Sequence, residues 1–227
     1  MTGNRYSPHW HHFPDRETLA QSLAEYMAQA LRRGLAERAS VTLLVSGGRS
    51  PARFFECLAE CHLDWDRVWV MPVDERVNAD TEEARNEWLI RHHLLRAQAA
   101  EAGFVPLDAP MSAEALEARI PWPATVAVLG MGEDGHCASW FPGDPASLAA
   151  LDPAGEQAVM ATRASEAPTE RLTLTWRMLA DVEDRVLLIA GDTKRALLER
   201  IETGSAEKQR YPVARLLSAP LNVFWSP

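Results

Sequence analysis

Hydrophobic and polar positions follow two periods that alternate along the chain. Continuous Val/Leu/Ile runs of four to six residues suit strands buried on both faces, and apolar residues at helical spacing suit amphipathic helices. The pattern predicts a first helix from about Asp15, its N-cap, with Leu19, Leu23, Tyr26, Met27, Ala30 and Leu31 on one face. The strand Val41–Val45 follows, then a helix near 51–60, a strand over 68–73 and a helix near 82–96 that buries Trp88, Leu89, Leu94 and Leu95. A strand at 125–129 comes next. The second half predicts short strands near Val159 and at 172–175, a strand at 185–190, a helix near 192–203 and a last strand near 221–225. Such alternation indicates an α/β fold: one Rossmann-like domain with a mostly parallel sheet and helices on both faces. The proline-bearing stretches 103–123 and 142–155 read as irregular connections, not domain linkers. Residues 1–14 are expected to be a mobile N-terminal segment, and residues 15–227 a single domain.

Composition narrows the class. The 227 residues are 47% hydrophobic and 24% charged, which fits a globular chain and excludes disorder and fibres. With 23 Lys and Arg against 32 Asp and Glu, the net charge of −9 repels polyanions, so a nucleic-acid partner is not expected. No apolar run approaches the roughly 20 residues of a membrane helix, and no leader pattern opens the chain. Cys57, Cys61 and Cys137 are an odd set without CxxC spacing, the usage of a reducing compartment. A cytoplasmic location follows as the expectation; monomer and homodimer both stay open.

In open α/β sheets, ligands bind beyond the carboxyl ends of the strands, so the residues after each predicted strand carry the functional argument. Ser46-Gly47-Gly48-Arg49-Ser50-Pro51 follows the first. Ser50 is placed to cap the next helix and Pro51 to open it, and the two glycines, exposed N–H groups and Arg49 make either an anion cradle or a plain turn. Asp74-Glu75-Arg76 follows the second, more charge than a turn requires, with mutual pairing as its ordinary explanation. Gly191-Asp192-Thr193-Lys194-Arg195 has Asp192 as the expected N-cap and two cations in a first helical turn, where the macrodipole disfavours them. An anionic ligand would explain that placement, as would a solvated helix start.

The segment after residue 129 is the most informative: Gly130-Met131-Gly132-Glu133-Asp134-Gly135-His136, continuing to Pro142. It contains a literal GxGxxG, but dinucleotide binding does not fit. The motif comes after mid-chain, Glu133 and Asp134 would face a pyrophosphate, and Pro142 truncates the helix that should follow. The loop can instead present His136 as a general base, with Asp134 two residues earlier to orient the imidazole. His9, His11 and His12, like His92 and His93, lack metal-ligand spacing, so neither metal nor cofactor is expected. Trp69, Trp88, Trp176 and Trp225 sit in apolar patterns and read as core. Arg163 and Arg171 flank a polar stretch and are either surface charge or further ligand contacts.

Taken in order, SGGRSP (46–51), DERVN (74–78) with Asn86, GMGEDGHCASWFP (130–142), APTERLTLT (167–175) and GDTKRALL (191–198) resemble the 6-phosphogluconolactonase family, related in fold to glucosamine-6-phosphate deaminases. The resemblance spans about residues 15–225. It implies metal-independent hydrolysis of 6-phospho-D-glucono-1,5-lactone in the oxidative pentose phosphate pathway. It also implies His136 as the base that activates water, supported by Asp134. Ser46, Gly47, Gly48, Arg49, Asp74, Arg76, Gly132 and Lys194 fall at phosphate- and sugar-binding positions, with Arg163, Arg171 and Asn86 as further candidates. Cys137, Trp140 and Asn78 depart from the residues usual in the family and bear on the shape of the sugar pocket.

A lactone is an activated ester, so water positioned by His136 suffices, and Ser46 and Ser139 lie in no GxSxG elbow. Two alternatives use the same residues: an amino-sugar-phosphate deaminase or isomerase shuttling protons through Asp74, and a non-catalytic sugar-phosphate-binding protein.

Overall fold

The computed structural model describes residues 6–48, 50–204 and 210–227. Its centre is a seven-stranded sheet in which every described pairing is parallel. In chain order its strands are β1 (His9–His12), β2 (Val41–Val45), β3 (Val68–Pro72), β5 (Gly103–Phe104), β7 (Val126–Gly130), β10 (Asp184–Ala190) and β11 (Asn222–Ser226). They lie in the order β1-β11-β10-β7-β2-β3-β5. A separate antiparallel sheet holds β4 (Asp74–Arg76), β6 (Met111–Ser112), β8 (Gln157–Arg163) and β9 (Glu170–Leu174), ordered β4-β9-β8-β6.

Strand alternation divides the core between the two faces of the main sheet. Val41, Leu43 and Val45 of β2 pack with Val70, Val126, Val128 and Val186 beneath α1 (Arg16–Glu37), α2 (Ala52–Ala59) and α3 (Asn86–His93). Leu44, Met71, Ala127, Leu129 and Leu187 face the other way. There they meet α4 (Ala113–Glu117), α6 (Trp176–Ala180), α7 (Asp192–Thr203) and the inner residues Val159, Leu172 and Leu174 of the antiparallel sheet. The α1 helix starts as its sequence predicts: the Asp15 carboxylate accepts the Thr18 N–H at 2.7 Å, and Leu23, Met27 and Leu31 are fully buried.

Several expectations are corrected. The strands near Val159 and at 172–175 belong to the second sheet, whose short, half-polar runs carry no signal of a separate partner. Residues 9–12, expected to be mobile, form an edge strand of the main sheet, because they pair along β11 and their rings pack on it: His11 stacks on Phe224 with 4.4 Å between ring centroids, and His12 meets Trp225 edge-on at 5.5 Å. The connection 103–123 contains β5, β6 and α4, and 142–155 contains α5 (Pro145–Ala150), capped by Asp144. Ser50 caps no helix; α2 begins at Ala52 with Pro51 in the cap position. Asp192 is the first residue of α7, and Gly191, at φ +88°, occupies the cap. Trp88 is half-buried, stacked on His92, while Trp65 and Trp140 are the more deeply buried tryptophans. Among the described residues no helix is long and apolar enough to cross a membrane.

Candidate active site

The chain leaves β2 for β3 on one side of the sheet and reaches β7, then β10 and β11, on the other. β2 and β7 are neighbours, so a crevice opens where connections diverge, at the carboxyl ends of these strands. Its floor is stitched by the Ser46 N–H donating to Val128 O at 2.9 Å and the Gly130 N–H donating to Ser46 Oγ at 3.2 Å. The cavity above it measures about 740 Å³, within the range of small-ligand sites.

Ser46, Gly47, Gly48, Asp74, Arg76, Asn86, Gly132, Asp134, His136, Arg171 and Lys194 all line this cavity. Arg163 does not: it lines a neighbouring cavity of about 580 Å³ with Phe141, Arg210 and Tyr211. Arg49 lies outside the described residues. Arg195, also in the first turn of α7, turns away, pairing with Glu199 at 2.7 Å and covering the Trp225 ring.

The Gly130–His136 loop is shaped by its glycines at two positions. At Gly132 a β-carbon would overlap the His136 ring, and Gly135 adopts φ +75° with Tyr211 packed against it. This tight loop brings His136 Nδ1 to 2.6 Å from Asp134 Oδ1. Burial pushes the Asp134 carboxyl up, but the hydrogen bond and charge of His136 outweigh it, and the group is held below its ordinary value. A carboxylate can only accept, so Nδ1 is the donor in this contact, and Nε2 is the lone-pair nitrogen of the neutral ring. The contact fixes the orientation of the His136 ring.

Alternation along β4 sends Asp74 and Arg76 into the cavity and Glu75 behind it. No side-chain ion pair joins the three, contrary to the simplest reading of the sequence; the contact between them is the Arg76 backbone N–H on the Glu75 carboxylate. Asp74 accepts from Ser139 Oγ at 2.6 Å and from Asn86 Nδ2 at 3.3 Å. Burial pushes its carboxyl up; the Ser139 hydroxyl and the charges of His136, Arg171 and Arg76 act in the opposite sense. Arg76 donates to Ala84 O, and Arg171, beside it on β9, is lowered by burial and then by Arg76's like charge.

Sequence reasoning missed Ser139 as a partner of Asp74. The fully buried residue also anchors the far end of the histidine loop: its backbone N–H donates to Thr173 Oγ1 at 3.2 Å and its backbone carbonyl accepts from Thr162 Oγ1 at 2.8 Å. The only sequence signal was a serine within an otherwise apolar CASWF run.

In chemical terms the cavity offers an imidazole held by a carboxylate, several cations, a backbone N–H loop and a half-buried carboxylate able to accept from a hydroxyl. Among the described residues no group of three or more His, Cys, Asp or Glu is arranged to hold a metal.

Residues 14–225 match the family described as glucosamine-6-phosphate isomerases/6-phosphogluconolactonase. The chain is 39% identical to a 6-phosphogluconolactonase of Mesorhizobium japonicum over 99% of this chain and 98% of that protein. It is 41% identical to one of Pseudomonas aeruginosa over 92% and 90%. Among solved structures, a 6-phosphogluconolactonase from Shewanella baltica superposes with a TM-score of 0.88 at 32% identity, covering 97% of this chain and 98% of that one.

Proposed function

We infer that this chain, which belongs to the glucosamine-6-phosphate isomerase/6-phosphogluconolactonase family, hydrolyses 6-phospho-D-glucono-1,5-lactone to 6-phosphogluconate in the oxidative pentose phosphate pathway. The observation that carries the mechanism is the 2.6 Å contact of His136 with Asp134 inside a cation-bearing cavity. In this reading His136 Nε2 takes a proton from water as the oxygen attacks C1, and Asp134 stabilises the imidazolium that forms. General-base assistance of this kind is typically worth about 10²–10⁴-fold. N–H groups of the glycine-rich loop stabilise the oxyanion. Collapse of the tetrahedral intermediate breaks the ring C1–O bond, and the proton on His136 passes to the leaving alkoxide.

Ser46, Gly47 and Gly48, with Arg76, Arg171 and Lys194, supply the positive and N–H-rich surface for the phosphate, and half-buried Asp74 accepts from a sugar hydroxyl. The phosphate lies away from the reacting carbonyl, so its binding energy fixes orientation. Lactone hydrolysis followed by proton release, corrected for spontaneous opening, tests the assignment: release above the spontaneous rate supports it, and ammonia release from an amino-sugar phosphate in its place would overturn it.

A further inference from the structure

Glu75 stands behind the cavity, yet it determines where one cavity wall lies. Its carboxylate, with the side chain 2% exposed, accepts three backbone N–H groups: Arg76 at 2.7 Å, Asn86 at 2.8 Å and Glu87 at 2.8 Å. Helix α3 has no side-chain cap of its own, so a residue of β4 satisfies N–H groups at its start that would otherwise lack partners. Burial pushes the Glu75 carboxyl up, opposed by those three bonds.

The residue placed by this cap is Asn86, 4% exposed. Its Nδ2 donates to Asp74 O at 2.8 Å and reaches Asp74 Oδ1 at 3.3 Å. Its carboxamide also presses on Gly47, so closely that a β-carbon there would overlap it. Asn86 therefore spans the cavity from the loop after β2 to the segment after β3. A shift of α3 would move both walls.

We propose that Glu75 is a positioning residue for the phosphosugar site: by capping α3 from β4 it sets Asn86 as the spacer that holds the Gly47 loop against Asp74. This rests on the lactone reading above. A carboxylate is suited to the task because both oxygens accept; a carboxamide keeps only one accepting oxygen and turns a donor toward the remaining N–H.

The test compares wild type, Glu75→Gln, Asn86→Ala and the double variant. Each single change is expected to raise KM for the lactone by about tenfold, the scale of a lost hydrogen bond to a charged group, with kcat within about threefold. The constant for competitive inhibition by inorganic phosphate should rise in parallel. The double variant should be little worse than either single one, because both changes act through one contact chain. Amide hydrogen exchange at Gly47 and Gly48 should quicken in Glu75→Gln without any ligand.

Loss of thermal stability with unchanged KM and unchanged loop exchange would overturn the proposal, as would fully multiplicative effects. If Glu75→Gln does not fold, Asn86→Ala alone decides through KM and loop exchange. Wild type that fails to hydrolyse the lactone while the exchange result holds would overturn the functional reading and leave the positioning role standing.

Discussion

Arg76 and Arg171 stand directly opposite each other across the antiparallel β4–β9 pair, both lining the cavity. Like charges in facing positions are destabilising by a few tenths of a kcal/mol up to about 1 kcal/mol. Their guanidinium groups donate to backbone carbonyls, Ala84 O for Arg76 and Glu170 O for Arg171, and Arg171 also lies over the Phe141 ring at 6.0 Å. On the proposed function, a substrate phosphate held between the two cations would offset that repulsion.

Replacing Arg171 by Ala is accordingly expected to weaken inorganic phosphate binding by about tenfold or more, the scale of a charge-assisted contact, without lowering the melting temperature of the free protein. Thermal shift with and without phosphate checks this. A large loss of stability in the free variant, with phosphate stabilisation intact, would show that Arg171 is structural.

Gly135→Ala tests the loop that carries His136. The residue adopts φ +75° and Tyr211 lies against it, so the substitution adds both backbone strain and a clash. Destabilisation of roughly 1–3 kcal/mol is expected, with kcat reduced because the imidazole shifts. Urea unfolding and steady-state kinetics read the two effects, and a variant with unchanged stability would contradict the loop geometry.

Asp74→Asn separates function from stability. Burial raises the folded-state pKa of Asp74 above its unfolded value. The folded protein therefore holds the proton more tightly, and that stabilisation is present at low pH and lost as pH rises through the folded pKa. Asp134 is shifted the other way, and its contribution is present at neutral pH and lost as pH falls. Asn at 74 removes only the first loss. The variant should melt a few degrees above wild type at pH 7, with roughly 2–4 °C for each kcal/mol. The gap should close toward pH 4, while KM for the lactone rises. Melting curves across pH check it; a variant less stable than wild type at pH 7 would contradict the burial argument.

The main sheet was legible because strands buried on both faces leave continuous apolar runs, as in Val41–Val45, fully buried throughout. The cavity was legible because the strand-end rule gathers SGG, DER, GMGEDGH and Lys194 without knowledge of their distances. The antiparallel sheet was not: β6 and β4 have two and three residues, too short to show a period, and their pairing is a long-range fact. Edge strand β1 was hidden because its HWHH sequence is apolar only where His11 and Trp10 meet β11. Arg163 and Arg171 look alike in sequence, and only strand register sends Arg171 to face Arg76. Glu75 read as one more charge in a polar turn; its role depends on three N–H groups, two of them more than ten residues away.

The central claim is that His136, oriented by Asp134, is the base for water attack. His136→Ala should lower kcat for lactone hydrolysis by about 10²–10⁴-fold, measured as proton release above the spontaneous rate, while inorganic phosphate still stabilises the folded protein as it does wild type. A variant that turns over the lactone at the wild-type rate, with phosphate binding intact, would contradict it.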